Sequence, residues 1–371
     1  MMTKRLEETQ QYINHLLASV PFPNTHLMDK EHSFGVASCC VLLALKRGLN
    51  PELAAISGLL HDIYRYKTGI SAHHSHNGAE MARVALKRAE NPYTEDEKQI
   101  ILSAIFHHGD KRDIHGAYDE VLKDADTLSP VLYTGGINHI PGRQKRLEKM
   151  TNELNLPASF STANETEAQA EEPKKTSQPN NKRLALAETA ERLAAMHITG
   201  SRNDAAYMNL IRYWPEEAAF DELQNAWCAA FVYHCCQEAG FVLPIKWLTD
   251  DSRFAGVASW NTWARRLGYF IKDEPGVTPK RGDILLYRNI IPAENKLAEQ
   301  RHIPIDHIGI VLASDSESLT VAEGNVNHQN VSGILTRPLH QNIEGYIRID
   351  NAFSYDNWSF DYMTRTEKRT S

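Results

Sequence analysis

The chain has no apolar run approaching the roughly 20 residues of a membrane-spanning helix. Its opening stretch, MMTKRLEETQQYINHLLASV, is charged and lacks the apolar core of an export signal. Basic residues are not in excess: 40 Lys and Arg stand against 47 Asp and Glu, for a net charge of -7. That balance argues against a nucleic-acid polymer as the main partner, although a nucleotide needs only a local basic group. Cysteine is scarce. The five present are Cys39-Cys40, Cys228 and Cys235-Cys236, an odd number with two adjacent pairs, which is a poor basis for a disulfide framework. The expectation is a protein that is cytoplasmic as made, with no membrane partner; delivery outside the producing cell after synthesis is compatible with the same features. Nothing in the sequence sets an oligomeric state.

Disorder throughout is excluded by 42% apolar and 23% charged residues. At 371 residues the chain exceeds one ordinary core, so more than one domain is expected. Within an expected first domain of 1–150, residues from about 5 to 135 read as helix after helix. Pro51 opens a helix carrying Leu53, Ile56, Leu59 and Leu60 at helical spacing. Asn77 to Ala89 and Thr94 to Phe106 repeat the period, and Thr94 with Glu97 has the form of a capping box. Residues 151–183 are rich in Ser, Thr, Asn, Glu, Pro and Lys, the composition of a polar linker. Residues 184–350 change texture. Helices are expected at 184–196, 203–213, 227–239 and 257–267. Strands are expected at Asp283-Tyr287, His307-Ala313, Ser318-Ala322, Ile334-Pro338 and Glu344-Ile349. Helices followed by strands indicate a small antiparallel sheet with helices packed on it. Residues 351–371 form an aromatic, then charged, tail.

Against these absences stands an abundance of histidine. Of the 17 in the chain, 11 precede residue 140. A helical core has no special use for imidazole, whereas neutral imidazoles and carboxylates on neighbouring helices can converge on a divalent ion. The adjacent His61-Asp62 pair at a helix end aims two such groups into one interhelical site, which His32 and Asp126 would complete. Further histidines sit at His73, His74, His76, His107 and His108.

The order of this set over residues 25–135 resembles the HD-domain metal-dependent phosphohydrolase superfamily. The matching pieces are Glu31-His32-Ser33-Phe34-Gly35, Leu59-Leu60-His61-Asp62-Ile63, a His before Gly78-Ala79-Glu80, Ala104-Ile105 leading to a His, and Lys123-Asp124-Ala125-Asp126. By resemblance, His32, His61, Asp62 and Asp126 hold a divalent metal ion (Mn, Fe, Mg, Ni or Zn). His74, with His76 as the alternative, and His108, which fits the spacing better than His107, would meet a second metal or a phosphate. Arg65 stands where many members carry Lys and would meet a phosphate as well. The implied chemistry is hydrolysis of a small phosphorylated molecule, nucleotide-like in class.

A second set lies in the other half. Cys228, in Asn225-Ala226-Trp227-Cys228-Ala229-Ala230-Phe231, opens an apolar helix, and a helix N-terminus favours the thiolate form of a cysteine. The other four cysteines lie in apolar helical patterns and read as packing residues. His307 opens the apolar run His307-Ile308-Gly309-Ile310-Val311, and Glu323-Gly324-Asn325 closes a neighbouring one. A His leading one strand and a carboxylate ending the next can face each other, supplying a base and its orienting group. Gly309 and Gly324 leave room for close backbone approach.

These pieces, with Gly282-Asp283-Ile284 between them, resemble the CHAP group of amidases and peptidases within the NlpC/P60 superfamily, over residues 200–350. The resemblance implies a papain-like α+β fold with a small antiparallel sheet. It makes Cys228 the nucleophile, His307 the base, Glu323 its orienting group and Asn325 a support near the oxyanion, with a peptide or other amide, peptidoglycan-like in class, as substrate. A long charged insertion, Asn289 to Pro304, precedes His307. The combined expectation is a multidomain protein: an all-α HD-type domain with a metal phosphohydrolase site, then a cysteine amidase or peptidase. Two other readings fit the same residues: an HD domain that senses a nucleotide and regulates the cysteine site, and a C-terminal domain that binds without catalysing.

Overall fold

A computed structural model of the chain describes residues 3–20, 23–134, 143–156, 181–215, 218–246, 253–292, 304–353, 355, 358–361 and 366–369. The chain divides into two compact units, Met1–Lys174 with Ser359–Thr370, and Lys175–Trp358 with Ser371. The break falls inside the polar stretch 151–183, of which 157–180 lies outside the described residues. Among the described residues no helix is long and apolar enough to cross a membrane.

The first unit is helical: α1 (Lys4–Ser19), α2 (Pro23–Lys46), α3 (Pro51–Leu60), α4 (Ile63–Thr68), α5 (His74–Arg88), α6 (Glu95–His107), α7 (Ala117–Thr134) and α8 (Arg143–Glu153). Local chemistry sets the ends. Asn50 caps α3 ahead of Pro51, and the Thr94–Glu97 capping box opens α6 with both reciprocal bonds made. Gly69, in the left-handed region at φ 73°, stops α4. Helix α3 is buried from Leu53 to Leu60 and forms the centre of the unit, with α2, α6 and α7 around it. Its approach to α2 depends on Gly58, where a Cβ would lie 2.7 Å from Ala37 Cα. At the far ends of α2 and α7, Arg47 binds Asp124 and Glu153, while Arg146 binds Glu120 and Asp124, tying α8 to the bundle.

The second unit is α+β. Helices α9 (Lys182–Ala194), α10 (Ala205–Ile211), α11 (Ala219–Leu223), α12 (Cys228–Glu238) and α13 (Val257–Leu267) precede strands β1 (Phe270–Lys272), β2 (Ile284–Arg288), β3 (Ile305–Ser314), β4 (Ser318–Glu323), β5 (Gly333–Pro338) and β6 (Ile343–Ile347). The strands form one antiparallel sheet in the order β1-β6-β2-β3-β4-β5. The five expected strands are present with ends moved by one or two residues; β1 and α11 were not anticipated, being too short to carry a period. Asp204 accepts from the Ala206 and Tyr207 N–H groups and so starts α10 two residues later than expected. A two-stranded sheet, β7 (Trp358–Asp361) with β8 (Thr366–Arg369), occupies part of the tail. Most of the insertion before His307, residues 293–303, lies outside the described residues.

Helix α12 meets the end of β4 closely. A Cβ on Gly324 would collide with Phe231 and lie 2.9 Å from Trp227 Cζ3. Gly324→Ala is therefore expected to overpack this contact and cost about 1–3 kcal/mol, seen by calorimetry as a lower-temperature transition of the second unit.

Candidate metal and cysteine sites

In the helical unit the site is assembled from helix ends. His61 ends α3 and Asp62 precedes α4. Asp62 makes no capping bond, so its carboxylate is left for the site. His74 is the first residue of α5, His108 ends α6, and His32 and Asp126 project from α2 and α7. His32 Nε2 and His61 Nε2 are 3.1 Å apart. The nearer oxygens of Asp62 and Asp126 lie 3.3 to 3.7 Å from these two nitrogens. Donors bound tetrahedrally at ~2.1 Å are separated by about 3.4 Å, so the spacing is that of a coordination shell.

A second set shares Asp62. Its Oδ1 lies 3.4 Å from His74 Nε2 and 3.5 Å from His108 Nε2, and these two nitrogens are 3.1 Å apart. Three of the imidazoles are fixed in the same way. The Nδ1–H of His61 donates to Gly58 O at 2.7 Å, that of His74 to Ser71 O at 2.7 Å, and that of His108 to Ile105 O at 2.6 Å. A carbonyl can only accept, so the proton of each neutral ring sits on Nδ1 and Nε2 presents a lone pair. His74 and His108 thus point two lone pairs at each other, an arrangement that a cation between them relieves. Asp62 Oδ1 is buried without a hydrogen-bond partner. The donor set therefore fits a metal ion.

Electrostatics prepares the ligands. Burial lowers the His61 pKa to about 3 and lowers that of His74, keeping both neutral. Burial alone would raise the Asp62 carboxyl, but His61, His108 and Arg65 outweigh it and hold it well below the usual range. Burial acts likewise on Asp126, where Lys111 and His32 prevail.

Arg65, expected to meet a phosphate, donates to Asp62 Oδ2 from Nε at 2.7 Å and from its terminal nitrogen at 2.6 Å, with Asp29 at 3.7 Å. His76 lies tilted against Phe106 with ring centres 4.3 Å apart, and His107 binds Asp119 at 2.9 Å and stacks on His115. Lys111, which sequence reasoning missed, donates to the second oxygen of Asp126 at 2.7 Å.

In the α+β unit Cys228 is the first residue of α12 and is buried. The first turn of a helix leaves backbone N–H groups without internal acceptors, a setting that favours a thiolate. His307 on β3 is paired in register with Tyr287 on β2. Its Nε2 donates to Glu323 Oε2 at 3.0 Å. The ring atom left for the Cys228 sulfur is Nδ1, which is buried and makes no hydrogen bond of regular geometry. Burial lowers the His307 pKa, but Cys228 and then Glu323 outweigh it and raise it to about 10. Burial would raise Glu323, yet His307 and Arg337 bring it down to about 2. Gly309 clears the path between the strands: a Cβ there would stand 2.9 Å from Glu323 Cγ.

The Asn325 side chain is bound to the backbone on both sides of its amide. Its Nδ2 donates to Asn225 O at 2.6 Å, and its Oδ1 accepts from Asn330 N at 2.9 Å. Asn330 in turn accepts from Trp227 Nε1 at 2.9 Å and donates to Gly200 O at 3.0 Å. Asn325 and Asn330 thus staple the segment before Cys228 to the loop after β4. Sequence reasoning also missed Tyr287 and Arg337, both hydrogen-bonded to Glu323. The remaining four cysteines are buried and free.

Fold and site together define a chain with a metal-type centre in a helical unit and a thiol centre in an α+β unit, both of kinds that typically serve hydrolysis. Residues 30–131 match the family model of the HD domain and residues 220–325 that of the CHAP domain, so the chain carries an HD domain followed by a CHAP domain. A search of curated proteins and a search of solved structures each returned no match. His61→Ala and Asp62→Ala are each expected to strip divalent metal from the purified chain, measured by mass spectrometry of the elements, whereas His76→Ala retains it.

Proposed function

We propose that the chain is a two-part hydrolase: a metal-dependent phosphohydrolase for a small, nucleotide-like phosphorylated molecule, joined to a cysteine amidase or peptidase that cleaves an amide bond in a peptide, peptidoglycan-like in class. One observation carries both halves. Each site keeps a buried polar atom without a hydrogen bond of regular geometry, Asp62 Oδ1 in one and, turned to Cys228, His307 Nδ1 in the other. A buried polar atom without a partner costs free energy and marks where a ligand or a reacting group belongs.

In the cysteine site, His307 takes the proton from Cys228 at Nδ1, and Glu323 steadies the imidazolium through Nε2. The thiolate then attacks the amide carbonyl, forming a carbon–sulfur bond as the carbonyl becomes an oxyanion. When the carbon–nitrogen bond breaks, the imidazolium returns its proton to the leaving amine, and a water molecule hydrolyses the thioester to a carboxylic acid and free thiol. The raised His307 pKa supports this assignment, because the ring is a strong base toward the thiol.

In the helical site a bound divalent ion would lower the pKa of a water molecule and polarise a phosphoryl oxygen. His32, His61, Asp62 and Asp126 would hold it, and the imidazole nitrogens favour a transition metal over an all-oxygen cation such as Ca²⁺. Arg65, a third exposed beside Asp62, offers a cation to the phosphate.

The test uses the full chain and two assays, phosphate release from a nucleotide panel and amine release from peptidoglycan-derived peptides. Cys228→Ala should abolish amine release and leave phosphate release and metal content unchanged; His61→Ala should do the reverse. Loss of metal from Cys228→Ala would count against two independent sites, and silence of wild type in both panels would overturn the reading.

A further inference from the structure

We propose that Arg337, with Tyr287 beside it, is a positioning residue: it fixes the Glu323 carboxylate as the permanent acceptor for His307 Nε2 and thereby keeps Nδ1 free for Cys228. The inference rests on Cys228 being the nucleophile. Glu323 is fully buried at the end of β4, and its partners come from the adjacent strands β3 and β5 and from β2 beyond β3. Arg337 on β5 donates from Nε to Oε1 at 3.0 Å and from its terminal nitrogen to Oε2 at 2.7 Å. The Tyr287 hydroxyl on β2 donates to Oε1, and His307 on β3 donates to Oε2. The adjacency β2-β3-β4-β5 is what brings these groups to one point. The same terminal nitrogen of Arg337 also donates to Asn327 Oδ1 at 3.1 Å.

The clamp matters because of what Glu323 would otherwise do. A carboxylate held away from water without a cation is costly, and the group escapes that cost by taking a proton. A protonated Glu323 can donate to His307 Nε2. The ring would then carry its own proton on Nδ1, facing the sulfur, and could not accept one there. Arg337 removes this alternative by supplying the opposite charge in a two-pronged geometry that lysine cannot copy. The charged and titratable groups facing Glu323 are His307, Tyr287 and Arg337, with Cys228 beyond His307; burial alone would raise its carboxyl, and His307 with Arg337 bring it down to about 2.

The sign of the effect follows. Glu323 is depressed in the folded chain, so its anion persists to low pH. Without Arg337 its pKa rises, and the anion is lost as pH falls through the higher value. The experiment is the rate at which iodoacetamide alkylates Cys228 in the full chain, followed by mass spectrometry of the Cys228 peptide as a function of pH. Arg337→Met is expected to move the acid limb upward, slowing alkylation on that limb about tenfold per unit of movement. Arg337→Lys should recover part of the shift, and Tyr287→Phe should move the limb the same way by less. Circular dichroism checks folding; should Arg337→Met not fold, Tyr287→Phe decides. An acid limb that superimposes on wild type in the deciding variant overturns the role of Arg337 while leaving the nucleophile intact. If wild-type Cys228 reacts no faster than buried Cys235 at any pH, the nucleophile reading fails and this inference falls with it.

Discussion

A carboxylate shut away from water must meet a cation, and both units are organised around that demand. Burying an ion costs several kcal/mol even after relaxation, and only close, well-aligned partners repay it. Glu323 meets Arg337, Asp62 meets Arg65, and Asp126 meets Lys111. Away from the sites, Asp124 is held between Arg47 and Arg146, and Asp283 by Arg348. The site carboxylates are thus kept ionised and fixed in orientation by the chain's own cations, which leaves one oxygen or one imidazole nitrogen of each site turned toward its chemistry.

The imidazoles obey a matching rule. In the helical unit a backbone carbonyl three residues earlier takes the Nδ1 proton of His61, His74 and His108, so the ends of α3 and α6 and the start of α5 determine which nitrogen is bare. In the α+β unit the order is reversed: Glu323 takes Nε2 of His307 and leaves Nδ1. Helix ends supply carbonyls for the one and strand pairing supplies a carboxylate for the other. The two folds reach the same result, a histidine with one committed nitrogen, by means natural to each.

Much of both sites was legible because the informative residues sit in short, ordered contexts. His61 and Asp62 are adjacent, and Cys228 stands at a helix start that the apolar run after it reveals. The choice of His74 over His76 has a structural counterpart in helix phase, since two residues turn the side chain by about 200°, and His76 lies against Phe106 instead. What was not legible comes from distant segments. Lys111, Tyr287 and Arg337 join their carboxylates only after helices pack or strands align, and no spacing in the sequence announces them. The bond of the Asn325 amide to the backbone of Asn225 was not legible either, since it joins segments far apart in the chain. In the fold, β1 escaped notice because three residues cannot show alternation.

Gly58 joins two requirements that are usually met by different residues. The absence of a side chain there lets α3 lie against Ala37 of α2, and its carbonyl receives the His61 proton. The spacing of two helices and the protonation pattern of a ligand are therefore written into a single position. A side chain at Gly58 would push α3 away from Ala37, and because the Gly58 carbonyl and the His61 ring sit on the same helix, the two would shift together relative to the ligands on α2.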